Sequence, residues 1–296
     1  MRQRVGRFTI DLPEEQIEEY FATARVRYNI MLRRNEGMLP PWTVDVAFSK
    51  YRFCNVFRED DRVTRFIKNS IREPMRESPH VLTAMVASRF FNREETLLRL
   101  VKAGFFPRWN SQEACEVLKD VRPVTGVAYM VKTPTGLDKL HGVCAVVDMS
   151  VKPGLEIMTR ITPGQTTLQE VWEKVRMLPF LGDFLAYEIV TDLRHTAWLD
   201  QAPDIFTWAV PGPGAVKGLA WLAHKDFEAI RYGTQQTRDA ALEAMQKLLI
   251  YSTVDSLWPR KWPRWEMREV EHWLCEHAKW VRVRYLGQRM KRRFTV

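Results

Sequence analysis

From Pro13 to Arg34 apolar side chains recur at Ile17, Phe21, Ala24 and Tyr28, the spacing of one face of an α-helix. Glu14 and Glu15 stand where a helix N-terminus favours negative charge, and Asp11 is the candidate cap. The same period returns over Ser49–Ser70, Pro79–Phe91, Arg93–Ala103, Ser111–Lys119 (with Ser111 as its cap), Thr167–Met177, Phe184–Arg194, Arg238–Ser252 and Arg268–Arg284. A chain that gives this much of its length to helical period has to bury helix against helix, so a mainly α bundle is expected. Val127–Val131 and Val143–Val147 are short and β-branched, compatible with a small β-hairpin or with buried helix. No repeat or low-complexity linker interrupts the chain. A single helical domain over 1–296 is expected, with two intimately packed lobes, 1–125 and 126–296, as the alternative, and a basic tail over 281–296.

Composition narrows the class. At 46% hydrophobic residues the chain has enough apolar surface for a core. No apolar run is long enough to span a bilayer, and the N-terminus lacks a signal-peptide core, so no membrane partner is expected. Cys54, Cys115, Cys144 and Cys275 are scattered with no CxxC pair, which suggests neither a disulfide framework nor a zinc site. The expected compartment is therefore the reducing cytoplasm. No metal and no cofactor is expected. Of the net charge of +9, +7 falls between Trp258 and Val296, where eleven Lys or Arg face four Glu. Trp258, Trp262, Trp265, Trp273 and Trp280 interleave with these cations, a composition suited to a phosphate backbone and an unstacked base.

Four motifs carry chemistry. Pro41-Trp42-Thr43-Val44-Asp45 leads into a segment in which Arg52, Asn55, Glu59 and Arg62 share a face if the segment is helical. Arg and Asn give directional recognition there, and Glu can orient them or take a proton. Leu178-Pro179-Phe180-Leu181-Gly182, set between two helices, has the pattern of a helix–hairpin–helix, with Gly182 letting backbone amides approach a DNA phosphate. Gly212-Pro213-Gly214 is a second loop that feeds a helix N-terminus. In helix–hairpin–helix DNA glycosylases a catalytic Asp follows at such a place, and here none does; Asp192 and Asp204 are the nearest carboxylates. On the C-terminal helix His272, Cys275, Glu276 and Lys279 fall three, four and seven apart, a set able to move protons or neutralise phosphate. Trp42, Phe53, Phe57, Tyr129, Phe184 and Tyr187, with Asn55 and Asn92, are the material for a pocket that holds an extruded base.

Taken together these motifs resemble the alpha-glutamyl/putrescinyl thymine pyrophosphorylase family, which includes the helical domain attached to some hydroxymethyluracil DNA kinases. The residues that carry the resemblance are Arg33 with Pro41-Trp42-Thr43-x-Asp45, then Arg52-Phe-x-Asn55-Val-x-Arg58-Glu59-x-Asp61-Arg62-Val-Thr64, then Arg89-x-x-Asn92. Leu178-Pro-x-x-Gly182-x-Phe184-x-Ala186 follows with Asp192, then Gly212-Pro-Gly-Ala215 with Gly218, and Glu271-His-x-x-Cys275-Glu276-x-x-Lys279 with Arg282.

The resemblance implies hypermodification of bases in double-stranded, phage-type DNA. A hydroxymethyluracil is activated by (pyro)phosphorylation, and an amine or amino acid then displaces the leaving group. The chain contains no GxxxxGK[ST], so the displacement is the expected step, with a P-loop DNA kinase as a partner. The implied ligands of DNA or leaving group are Arg52, Asn55, Arg58, Arg62, Arg89, Asn92, Gly182, Gly212, Gly214 and Arg282. The candidates for proton transfer are Asp192, Glu276, His272, Glu271 and Glu59, with Lys279 beside them. A glycosylase-like base-processing enzyme and a non-catalytic helical partner of such a kinase are the competing readings.

Overall fold

The computed structural model describes residues 8–106 and 108–294. Twelve α-helices run through them: α1 (Glu14–Asn35), α2 (Val46–Lys50), α3 (Arg62–Ile67), α4 (Val81–Phe91), α5 (Glu94–Lys102), α6 (Ser111–Leu118), α7 (Lys139–Met158), α8 (Leu168–Val175), α9 (Gly182–Leu193), α10 (Pro213–His224), α11 (Gln235–Tyr251) and α12 (Met267–Arg284). Among the described residues there is no strand, and extended pairing is confined to a bridge between Tyr51 and Arg293. The architecture is mainly helical, as the apolar period implies.

The β-hairpin does not form. Val143–Val147 lies inside α7, whose first turn is fixed by Asp138 accepting from the amides of Leu140 and His141 at 2.9 and 3.1 Å. Val143, Val146 and Val147 are fully buried at helical spacing, so a cap and burial outweigh β-branching. Val127–Val131 runs as irregular chain, with Val127 and Met130 in solvent. Two caps also differ from expectation. Pro13 rather than Asp11 precedes α1, and Asn110 rather than Ser111 caps α6 by accepting from the Glu113 amide at 3.1 Å.

The segment from Ser49 to Ser70 is not one helix. Asp45 caps α2 by accepting from the Phe48 amide at 2.8 Å, and the chain turns extended at Tyr51. Thereafter its donors go to distant partners: the Arg52 amide to the Arg292 carbonyl at 3.2 Å, and the Cys54 amide to the Glu276 carboxylate at 3.0 Å. The Asn55 side-chain amide closes the loop on the Asp60 carbonyl at 2.8 Å, and one 3-10 turn, Arg58–Asp60, follows. Backbone donors committed to partners this far away are lost to a helix ladder. Arg52, Asn55, Glu59 and Arg62 therefore share no helical face.

The helices divide between two compact units interleaved in sequence. The first takes the chain as far as Asp60 and again from Ala209; the second is Asp61–Trp208. In the first unit α12 packs on α10 and α1. The Tyr20 hydroxyl donates to the Val270 carbonyl, and the Trp273 indole donates to the Tyr20 carbonyl, each at 3.2 Å. At Gly218 a Cβ would lie 2.6 Å from the Leu274 carbonyl oxygen, so only glycine permits this approach of α10 to α12. Tyr28, Phe57, Trp258, Trp262 and Trp265 form an aromatic cluster with ring centroids 4.6 to 6.5 Å apart. Trp258, Trp265, Trp273 and Trp280 are buried, so these tryptophans are core and not a platform for bases. The Pro41-Trp42 turn is likewise held structurally. Arg33 donates to the Trp42 carbonyl at 2.6 Å, and Asp45 accepts from the Trp280 indole at 3.0 Å.

In the second unit α4 is buried along its whole length, as an apolar-all-round helix must be, and it packs against α7 and α9. It stops at Asn92, which adopts the left-handed conformation at φ 42 as the helix C-cap.

Candidate functional site

In the first unit α12 carries a row of polar groups that meets the Arg52–Asp60 loop. Glu276 is 2% exposed and has both oxygens engaged: one accepts from the Cys54 amide at 3.0 Å, the other from the Lys279 ammonium. One turn earlier the buried His272 ring places Nε2 3.1 Å from the Asn55 carbonyl oxygen. A carbonyl only accepts, so Nε2 carries the proton and the neutral ring keeps its lone pair on Nδ1. Burial, and then the charges of Arg58, Lys279 and Arg268, hold the His272 pKa well below its ordinary value. The ring is therefore neutral at neutral pH. Burial works to lower the Lys279 pKa, but Glu276 and the Cys54 thiol outweigh it, and the ammonium is held charged. Arg268 lies 3.7 Å from Glu59. The arrangement is a neutral base beside three cations, with the loop backbone pinned to the same helix.

The four C-terminal residues do not act as one face. Cys275 and Glu271 turn toward α10, where the Cys275 thiol lies 3.8 Å from Glu271 Oε1 and that oxygen accepts from the Gly212 amide at 3.3 Å. Burial and then the Glu271 and Glu276 charges push the Cys275 thiol up, so it stays protonated. Glu271 thus occupies the start of α10 where the Gly212–Gly214 loop was expected to cradle phosphate, and Pro213 has no amide to offer. At Gly214 a Cβ would meet the Cys275 sulfur at 2.7 Å, so this glycine serves packing. Arg282 stacks its guanidinium over Phe227 at 4.4 Å. Arg52 is exposed, and Arg58 is half-buried beside His272.

Asp192, Arg89, Asn92, Arg62 and Gly182 fall in the second unit. Asp192 on α9 is fully buried and receives Arg89 of α4 in a two-pronged pair, both contacts at 2.6 Å. Arg72, also fully buried, stands 3.5 Å from the same carboxylate, and Arg89 reaches Thr64 at 3.3 Å. A carboxylate held by two guanidiniums is a poor proton acceptor, and this triad ties α4 to α9. Arg62 pairs with Glu94 at 2.6 Å on the surface. Gly182 opens α9 at φ +63 with nothing within 4 Å of where a Cβ would stand, and the preceding Leu181 supplies no side-chain cap.

Sequence reasoning passed over Cys54, Arg72 and Arg268. Cys54 stands between Phe53 and Asn55 of the Arg52–Thr64 motif, and only its place beside α12 singles it out. Arg72 was legible in principle, as a cation set among Ile67, Ile71 and Met75 that burial obliges to find a counter-charge.

No solved structure matches this chain. The chain belongs to the family described as 5-hmdU DNA kinase, helical domain, whose model matches residues 14–288. It is similar to a 5-hmdU DNA kinase of Bacillus phage SP10, with 27% identity over 227 residues. The match covers 69% of this chain and 35% of that protein, so the chain spans about a third of the relative's length.

Proposed function

We propose that this chain modifies thymine-derived bases in DNA. In this reading it transfers an amine or amino acid onto a hydroxymethyluracil already activated as its phosphate or pyrophosphate. The observation that carries the reading is the neutral His272 set beside Arg58, Lys279 and Arg268. Displacement of a phosphate by an amine asks for that combination: cations to neutralise the departing charge, and a base to take the amine's proton. Family membership supplies the base, since the phage relative is named for 5-hydroxymethyldeoxyuridine in DNA. The absence of a GxxxxGK[ST] among these 296 residues supports the displacement step over the phosphorylation that the relative is named for. Leu178–Gly182 is proposed as a duplex phosphate contact of helix–hairpin–helix type, because Gly182 leaves the uncapped start of α9 open to a close approach. Asp192, Glu271 and Glu276, whose carboxylates are already engaged, are assigned to positioning, with His272 as the base.

The test is to incubate the chain with duplex DNA bearing phosphorylated or pyrophosphorylated hydroxymethyluracil and a panel of amines and amino acids, then to digest and weigh the nucleosides. A new substituted thymidine is expected. DNA binding without any new nucleoside would sink the transferase reading. A second reading, a helical module that presents DNA to a kinase, is favoured by the match to only 35% of a relative named as a kinase. Stimulation of a separate hydroxymethyluracil DNA kinase by the chain, with no product of its own, would select it.

A further inference from the structure

We propose that Cys54 is a covalent nucleophile that activates the pyrimidine ring, an inference that rests on the transferase reading above. The Cys54 sulfur and a ring nitrogen of His272 lie within 4.8 Å of one another. The Cys54 amide is fixed at 3.0 Å by Glu276, which also holds the Lys279 ammonium. Cys54 is partly accessible. A neutral imidazole within reach of a thiol and a fixed cation is the setting that generates a thiolate. At Cys115, Cys144 and Cys275 burial is the largest influence and raises the thiol.

The chemistry explains why such a thiol is needed. A 5-methylene carrying phosphate on an intact uracil ring gains little push from the ring toward expulsion. When the thiol passes its proton to His272 and the sulfur bonds to C6, the C5–C6 π pair moves into a C4 enolate. That enolate expels the phosphate or pyrophosphate, which leaves with the C–O electron pair, and an exocyclic methylene forms. The amine nitrogen bonds to the methylene carbon, restoring the enolate, and the resulting ammonium gives up its proton. The enolate then reforms C5=C6 and ejects the thiolate, which recovers its proton from His272. The sum is amine plus phosphorylated base giving aminomethyl base, phosphate and one proton, and no oxidant or reductant enters.

Two arms test this on the full chain. In the first, wild-type protein meets duplex DNA bearing the phosphorylated hydroxymethyluracil without amine, and a parallel duplex bearing 5-fluorouracil. Denaturing mass spectrometry is expected to find a protein–DNA adduct on the peptide containing Cys54. In the second, turnover with amine is compared among wild type, Cys54→Ser and the control Cys115→Ser, using substrate with hydrogen or deuterium at C6. Loss of turnover in Cys54→Ser with DNA binding and thermal transition retained, full turnover in Cys115→Ser, and an inverse C6 isotope effect in wild type are expected. Product formation by Cys54→Ser at the wild-type rate, with no adduct, overturns the thiol addition and leaves the transferase reading intact. An adduct on Cys54 without product from any amine sinks the transferase reading and keeps the thiol addition. Neither adduct nor product sinks both.

Discussion

In the second unit a carboxylate and two guanidiniums, Asp192 with Arg89 and Arg72, are sealed from solvent and held on one another. In the first unit charge is also buried, but the set around His272 keeps an exposed edge. Lys279 is 44% exposed, Cys54 is partly accessible, and the imidazole is neutral. In the proposed reading, that difference separates scaffold from chemistry. A closed network holds helices together and exchanges no protons, whereas an open one with an uncharged base can turn over. On sequence alone Asp192 and Glu276 stood beside His272 as candidates for the base, because a committed carboxylate is written with the same letters as a free one.

The comparison breaks most visibly at Asp192. Asp192→Ala takes from two buried cations the carboxylate they share, which costs about 3–5 kcal/mol. Urea denaturation followed by circular dichroism should show this as a large fall in midpoint, and a near-unchanged midpoint would move Asp192 out of the scaffold. A smaller effect is expected where α10 meets α12. Gly218→Ala drives a methyl to 2.6 Å from the Leu274 carbonyl, an overpacking worth about 1–3 kcal/mol by the same assay. Since Glu271 ties Gly212 to α12, this variant should also loosen the loop before α10, read as faster amide exchange there.

Acid gives a third contrast. Burial depresses His277 to about 3, and its Nδ1 sits 3.0 Å from the Thr23 hydroxyl. A histidine whose folded pKa lies below its unfolded value of roughly 6.5 must be neutral to stay buried. Its contribution is therefore complete above pH 6.5 and is lost as pH falls from there toward 3. His272 shifts in the same direction. Melting temperature should decline on acidification through this window, and His277→Gln should flatten the slope. Last and least, Arg62→Ala removes a surface pair with Glu94 whose arginine is 85% exposed, an expected change of about 0–1 kcal/mol. A larger loss in stability would show that Arg62 does more than its geometry indicates.

Much of the fold was legible because helices are local. Apolar period and first-turn charge marked α1, α4, α8 and α12 to within a few residues, and the capping box of Thr167 and Glu170 is a short-range signal. The Arg52–Asp60 loop was not legible. What keeps it from being helical is a carbonyl at Arg292 and a carboxylate at Glu276, more than two hundred residues away in sequence. The tryptophans after Trp258 misled for a related reason, since composition does not say which side of a helix faces the core. The interleaving of the two units also leaves no mark in composition. At the site, the motif residues were recognisable as a set, but their division into holders and actors depends on which oxygen meets which amide.

The central claim, that the open cluster on α12 performs the chemistry and the closed triad on α9 does not, meets its most direct test in His272→Gln. The measurement is the single-turnover rate of amine transfer to phosphorylated hydroxymethyluracil duplex, with the urea midpoint taken on the same preparation. Loss of a positioned base predicts a rate lower by about 10²–10⁴-fold with the midpoint close to wild type. A wild-type rate, or a rate that falls only in step with the unfolded fraction, would contradict it.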